Sequence, residues 1–167
     1  MPPSTENASL PHGSGTDRAL APSDLILFDI GGSLHGYYSD LTRTFALLDS
    51  HVPTQALEKW FLVQTAQEAA ARAAKEGALV SDVDAAARSV IAGKGLGKWF
   101  THRLGHGQWD IESARVGLDG YSGIGLQMHE APYLRGGNNV RLSIGNTVSN
   151  EPGIYIPGQV GFPSVPS

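Results

Sequence analysis

The stretch "DIGGSLHGYYSD" places an aspartate at each end, Asp29 and Asp40, directly after the apolar run Leu25-Ile26-Leu27-Phe28. Residues opposed across an antiparallel hairpin face the same side, and a pair brackets an even-length loop when its sequence separation is odd. The separation here is eleven. The spacing therefore predicts Asp29 opposite Asp40 about a turn centred on Leu34 and His35, with β-carbons about 4.5 to 5.5 Å apart. Two carboxylates that close repel and raise each other's pKa unless a cation lies between them. A divalent metal would resolve the conflict. The plain alternative is one Asp capping a turn and the other solvated.

Further donors lie downstream. Of six histidines, His102, His106 and His129 fall in the extended segments "WFTHRLGHG" and "GLQMHEAPYL". Glu151 stands in "SNEPGIYIPG", where the following proline biases it towards extended geometry. Two Asp, a His and a Glu make a hard, oxygen-rich set with one imidazole, which favours Mn, Co, Zn or Fe over Cu or a thiolate-type zinc site. The chain has no cysteine, so thiolate ligands and disulfides are excluded and a reducing compartment is suited. Arg43 could orient a metal carboxylate or form a structural ion pair. Tyr37 and Tyr38 alternate faces, so one is expected to pack, and Trp60 and Phe61 are most simply core.

The elements that must position these residues are readable in outline. Residues 1–23, rich in Pro, Ser, Gly and Asn, are expected to be irregular. "LILFDIG" and "GYYSDLTRTFALL" read as a hairpin, with the glycines and Ser33 marking its connection. "TQALEKWFLVQTAQEAAARAAKEGA" has helical spacing from Thr54 and stops at Gly77; a second helix, "DVDAAARSVIAGKG", starts at Ser81 with an acidic first turn. Strands, two helices, then strands predict the α+β class. The length of 167 residues suits one domain. With 12 Lys and Arg against 16 Asp and Glu, the net charge of −4 argues against nucleic acid or an acidic membrane surface as partner. No stretch approaches the roughly 18 apolar residues of a membrane span, and the first residues lack a signal peptide's pattern. A cytoplasmic protein is expected.

Four motifs in order, "LFDIGGSLHGYYSDLTRTFAL", "FTHRLGHG", "MHEAPYL" and "SNEPGIYIPG", resemble those of the pita-bread metallopeptidases, closest to the aminopeptidase P and Xaa-Pro dipeptidase (prolidase) branch. The resemblance implies a partial pita-bread fold, an antiparallel sheet with flanking helices. It implies that Asp29 is terminal on one metal, Asp40 bridges two, and His106 and Glu151 complete the set, with two Mn ions first and Co, Zn or Fe as alternatives. It also matches His12 and His102 to histidines that line the substrate pocket. The implied reaction is hydrolysis of an N-terminal peptide bond preceding proline by a metal-activated water. Glu151 would act as ligand and base. His102 and His129 would donate hydrogen bonds to the carbonyl or oxyanion, and His12 would hold the substrate's carbonyl or carboxylate end.

Departures from the family pattern set further expectations. The family continues into a strand resembling "GVRIED", whose Glu is a fifth, bridging ligand; here "GQVGFPSVPS" carries neither that Glu nor its Arg. A weak or single-ion site is expected, and turnover by this chain itself is put in question. Residues 108–123 form a 16-residue insertion that sets His129 23 positions after His106, and its removal restores a spacing of seven. A mis-spliced or mispredicted transcript is the expected origin of this segment and of the divergent C-terminus. The division expected is 1–9 an irregular tail, 10–158 an incomplete catalytic domain, and 159–167 a divergent tail. Truncation at both ends predicts exposed edges and apolar surface, hence marginal stability or homo-oligomerisation. The other readings are a non-catalytic pita-bread module that binds protein and a metal-free, creatinase-like amidinohydrolase, both opposed by the retained donor set.

Overall fold

The computed structural model describes residues 17, 19–22, 24–47, 51–108, 127–157 and 161–163. His12, the expected insertion beyond Gln108 and most of the expected C-terminal tail lie outside the described residues. Two strands come first, β1 (Leu25–Leu34) and β2 (Tyr37–Ala46), then two helices, α1 (Thr54–Ala73) and α2 (Val80–Ala92). A 3₁₀ turn, Gly97–Trp99, leads to β3 (Gly105–Gln108), β4 (Glu130–Leu134), β5 (Thr147–Val148), β6 (Gly153–Tyr155) and β7 (Gly161–Pro163). Every strand pairing among the described residues is antiparallel: β1 with β2, β4-β3-β5 in one sheet, and β6 with β7. This is the expected α+β class.

The hairpin register differs from the expected one. Asp29 faces Thr42, and Asp40 faces Gly31. The turn is His35-Gly36, not Leu34-His35, because both carry positive φ, 53° and 89°, as the two-residue type I′ turn requires. Gly31, Gly32 and Ser33 therefore belong to β1 instead of the connection. The slip is an even one, so Asp29 and Asp40 still share a face, now as diagonal neighbours about 7–8 Å apart. Arg43 lies on the opposite face from the aspartates and donates to the Thr42 carbonyl at 2.9 Å, and among the described residues it takes neither role expected for it.

Both helix boundaries are set by tertiary contacts. α1 ends at Ala73, before Gly77, because the chain beyond it pairs with a distant segment: the Gly77 N–H donates to Leu142 O (2.7 Å) and Leu142 N–H to Ala78 O (2.9 Å). α2 begins at Val80, ahead of Ser81, and no side chain caps it. The Val80 and Ser81 N–H groups donate instead to the Val140 and Asn138 carbonyls, at 2.9 and 3.2 Å. These satisfy the first-turn donors that a capping side chain would otherwise serve.

The buried face of α1, Ala56, Val63, Ala66, Gln67 and Ala70, recurs at helical intervals and is mostly alanine, which lets α2 approach closely through Val83, Ala87 and Ile91. Phe100, Leu104, Leu134, Leu142 and Ile154 complete the core beneath the sheet. Trp60 packs against this core, whereas Phe61, expected inside, is 57% exposed because it falls on the opposite side of α1. No helix among the described residues is long and apolar enough to cross a membrane.

Candidate metal centre

β3 is the central strand of its sheet and carries His106 between two glycines. A β-carbon at Gly105 would collide with the Ser149 carbonyl oxygen, and one at Gly107 with the Ala131 carbonyl oxygen. The glycines thus let β3 sink between its neighbours, and His106 is left 1% exposed. Its Nδ1 faces the Gly107 carbonyl at 3.3 Å, so Nδ1–H donates there and Nε2 turns towards the carboxylates. That nitrogen lies 3.2 Å from Asp40 Oδ2 and 3.1 Å from Glu151 Oε1.

These contacts govern the charges. Burial alone would lower the His106 pKa, but the hydrogen bonds to Asp40 and Glu151 outweigh it and raise the imidazole from its ordinary 6.5 to about 9. The same hydrogen bond from His106 holds the Asp40 carboxyl below its ordinary value, against burial. At neutral pH the ring is an imidazolium between two carboxylates. Such a focus of oxygens and one Nε2, with Nδ1 anchored on a carbonyl, fits a divalent cation in place of the proton.

Glu151 is oriented by Ser149, whose hydroxyl donates to Glu151 Oε1 at 2.7 Å and accepts the His106 N–H at 2.9 Å. Backbone ties align the two segments: Ser149 N–H to His106 O (2.8 Å) and Glu151 N–H to Leu104 O (2.9 Å). Asp29 Oδ1 accepts the hydroxyl of buried Thr42 at 3.1 Å. Thr42 and Ser149 were not singled out in the sequence. The available signal was a hydroxyl residue two positions from Asp40 and from Glu151, on the same side of an extended chain.

His129 lies at the open side. Its ring meets that of His106 edge-on, with centroids 4.5 Å apart, and donor atoms of Asp40, His106 and His129 all lie within 4.8 Å of one another. Burial, then the His106 and Arg103 charges, lowers the His129 pKa, so this ring is neutral where His106 is charged. His102 is set further back. Its Nδ1–H donates to the Arg103 carbonyl at 2.6 Å, and its Nε2 accepts the Tyr155 hydroxyl at 3.0 Å. Donation from His102 to a substrate, as expected from the sequence, would require one of these nitrogens to change partner. Tyr155, not singled out in the sequence, is half-buried near Glu151 and Asp29; burial first, then their charges, raises its pKa. The structure thus gathers Asp40, His106, Glu151 and His129, places Asp29 beside them on the hairpin face, and holds His102 behind Tyr155.

The sequence matches metallopeptidase family M24 over residues 3–109 and 120–163. The Xaa-Pro dipeptidase of Lactobacillus delbrueckii subsp. lactis is 40% identical over 157 residues, which are 93% of this chain and 38% of that protein. A probable dipeptidase, PepE, of Mycobacterium tuberculosis is 40% identical over 152 residues, 90% of this chain and 36% of its own length. Among solved structures, the prolidase of Pyrococcus furiosus superposes with a TM-score of 0.81 at 32% identity, covering 96% of this chain and 42% of the prolidase. The dipeptidase of Pyrococcus horikoshii OT3 gives the same TM-score at 37% identity, covering 95% of this chain and 40% of the other. The chain therefore spans about two fifths of the length of these relatives. Its helices and antiparallel sheets follow theirs, so the fold is a partial pita-bread fold. A buried imidazole held between two carboxylates, on a backbone and sequence shared with these peptidases, leads to one conclusion: the chain belongs to metallopeptidase family M24.

Proposed function

We propose that this chain carries the metal-binding part of an exopeptidase of the Xaa-Pro dipeptidase or aminopeptidase type, acting on peptides with proline in second position. The carrying observation is the convergence of Asp40 and Glu151 on His106 Nε2, at 3.2 and 3.1 Å, from three separate segments. Asp29, Asp40, His106 and Glu151 would hold the ions, two Mn first, with Co, Zn or Fe as the alternatives to be tested. When bound, such a cation supplies Lewis acidity towards water and the scissile carbonyl.

The chain's own groups carry the remaining work. The Glu151 carboxylate, fixed by Ser149, accepts the proton of the attacking water. Neutral, exposed His129 donates an N–H to the substrate carbonyl and to the oxyanion that develops from it. His102 holds the Tyr155 hydroxyl at the rim of the site. His12 is assigned to the substrate's carbonyl or carboxylate end by the family resemblance. A cytoplasmic location belongs to the same reading, since a chain without cysteine suits a reducing compartment.

The test is calorimetric titration of the purified chain with Mn(II) and Co(II), followed by assay on an Xaa-Pro dipeptide and tripeptide. Metal binding that Asp40→Ala weakens by about 100-fold is the expected result, and the peptide assay decides whether this chain itself turns over. The number of ions that Asp29, Asp40, His106 and Glu151 hold is read from the stoichiometry. Saturable binding of a protein or peptide in the absence of metal, with no metal affinity, would overturn the proposal.

A further inference from the structure

His102 sits in a stretch, Phe100–Leu104, between the 3₁₀ turn and β3, where regular pairing has not yet begun. What holds this stretch is a buried pair on α2. Asp84, 1% exposed, accepts the Leu104 N–H on Oδ1 at 3.1 Å and the Arg88 Nε–H on Oδ2 at 2.6 Å. The two terminal nitrogens of Arg88 then donate to the Phe100 carbonyl at 2.9 Å and to the His102 carbonyl at 2.5 Å. The guanidinium also lies over the Phe100 ring, 4.2 Å from its centroid, and that ring packs edge-on against His102.

We propose that Asp84 and Arg88 are positioning residues for the site: their fork fixes the backbone on both sides of His102, and so the ring orientation that holds the Tyr155 hydroxyl. A planar, five-donor guanidinium can bridge a carboxylate and two carbonyls at once, which a lysine ammonium on a flexible stem cannot do in the same geometry. The orientation is specific. A carbonyl only accepts, so the Arg103 oxygen fixes the His102 proton on Nδ1 and leaves Nε2 as the acceptor for Tyr155. The consequence for catalysis rests on the peptidase reading; the positioning of the ring does not.

The test is nitrogen NMR of the full chain labelled at histidine, without metal, at neutral pH, with His102 assigned by comparison with His102→Gln. The wild-type ring is expected as a single tautomer protonated at Nδ1. Arg88→Lys keeps a cation beside Asp84 but loses the fork. It is expected to give a mixture of tautomers, while Mn(II) affinity changes less than about threefold, since the metal donors are untouched. Asp84→Asn, which keeps the acceptor for Leu104, is expected to give the same spectral change and serves if the lysine variant does not fold. An unchanged His102 spectrum in the folded variants overturns the proposal. So does a change that appears only in proportion to lost Mn(II) binding and lost thermal stability. If the wild-type chain binds no Mn(II), the peptidase reading fails, and the His102 spectrum still decides this one.

Discussion

His106 Nε2 lies 3.2 Å from Asp40 Oδ2, a contact that spans 66 residues of chain. With Glu151 at 3.1 Å on the same nitrogen, the centre is a proton trap before it is a metal site. The imidazolium supplies the positive charge that two converging carboxylates require. Any cation that enters must displace its proton.

That competition sets the pH dependence of metal binding. With the His106 pKa at about 9, Mn(II) affinity is expected to rise about tenfold per pH unit from about pH 6 and to level off above about pH 9. Metal-free stability runs the other way. A pKa raised in the folded state contributes stability that is fully present below the ordinary 6.5 and is lost as pH rises through about 9. Calorimetry at several pH values checks the first slope, and thermal unfolding of metal-free protein checks the second; a flat affinity profile contradicts the arrangement.

Ser149→Ala removes the donor to Glu151 Oε1 and the acceptor for the His106 N–H. Mn(II) affinity is expected to fall about 10- to 100-fold, as for loss of a group that orients a ligand. An unpaired buried N–H adds a stability loss of about 1–3 kcal/mol. Ser149→Thr, which keeps the hydroxyl, should retain most of the affinity in the same titration.

Gly107→Ala forces a β-carbon into the Ala131 carbonyl and the Pro132 ring, neither of which is a flexible side-chain end. A loss of about 3 kcal/mol or more is expected in denaturant unfolding, at the upper end of overpacking costs. Gly136→Ala is the control. A β-carbon there meets nothing within 4 Å, and a change within about 0.5 kcal/mol is expected.

The hairpin face opposite the aspartates carries Phe28, Ile30, Leu34 and Phe45, which are 48%, 56%, 72% and 50% exposed. A contiguous apolar patch of this kind drives association. Concentration-dependent self-association is expected in sedimentation velocity. Phe28→Thr with Phe45→Thr, which removes the edge-on ring pair at 5.6 Å and keeps strand propensity, should shift the chain towards monomer. Unchanged sedimentation in the double variant would place the contact elsewhere.

Alternation and helical spacing act over a few residues, and what depends on them was legible in the sequence. An odd separation placed Asp29 and Asp40 on one face for any turn with an even number of residues, and the alanine-rich period marked α1. The donor types named oxygen and imidazole chemistry. The turn itself was less legible, because His35, an ordinary residue, adopts positive φ next to Gly36. Carbonyls of residues 138–142 decided where α1 ends and α2 begins, and no local pattern carries that information.

The site followed the same division. Its donors could be named from the motifs, but their convergence depends on two glycines letting β3 sink between Ser149 and Ala131, and on Ser149 tying Glu151 to the His106 strand. Thr42, Tyr155 and the Asp84–Arg88 pair act only through partners far along the chain. The sequence by itself determined which atoms can bind a cation and which side of each strand they occupy. The tertiary structure alone decided that they meet and that His106 is charged, because burial and the field of distant carboxylates arise only when separate segments pack together.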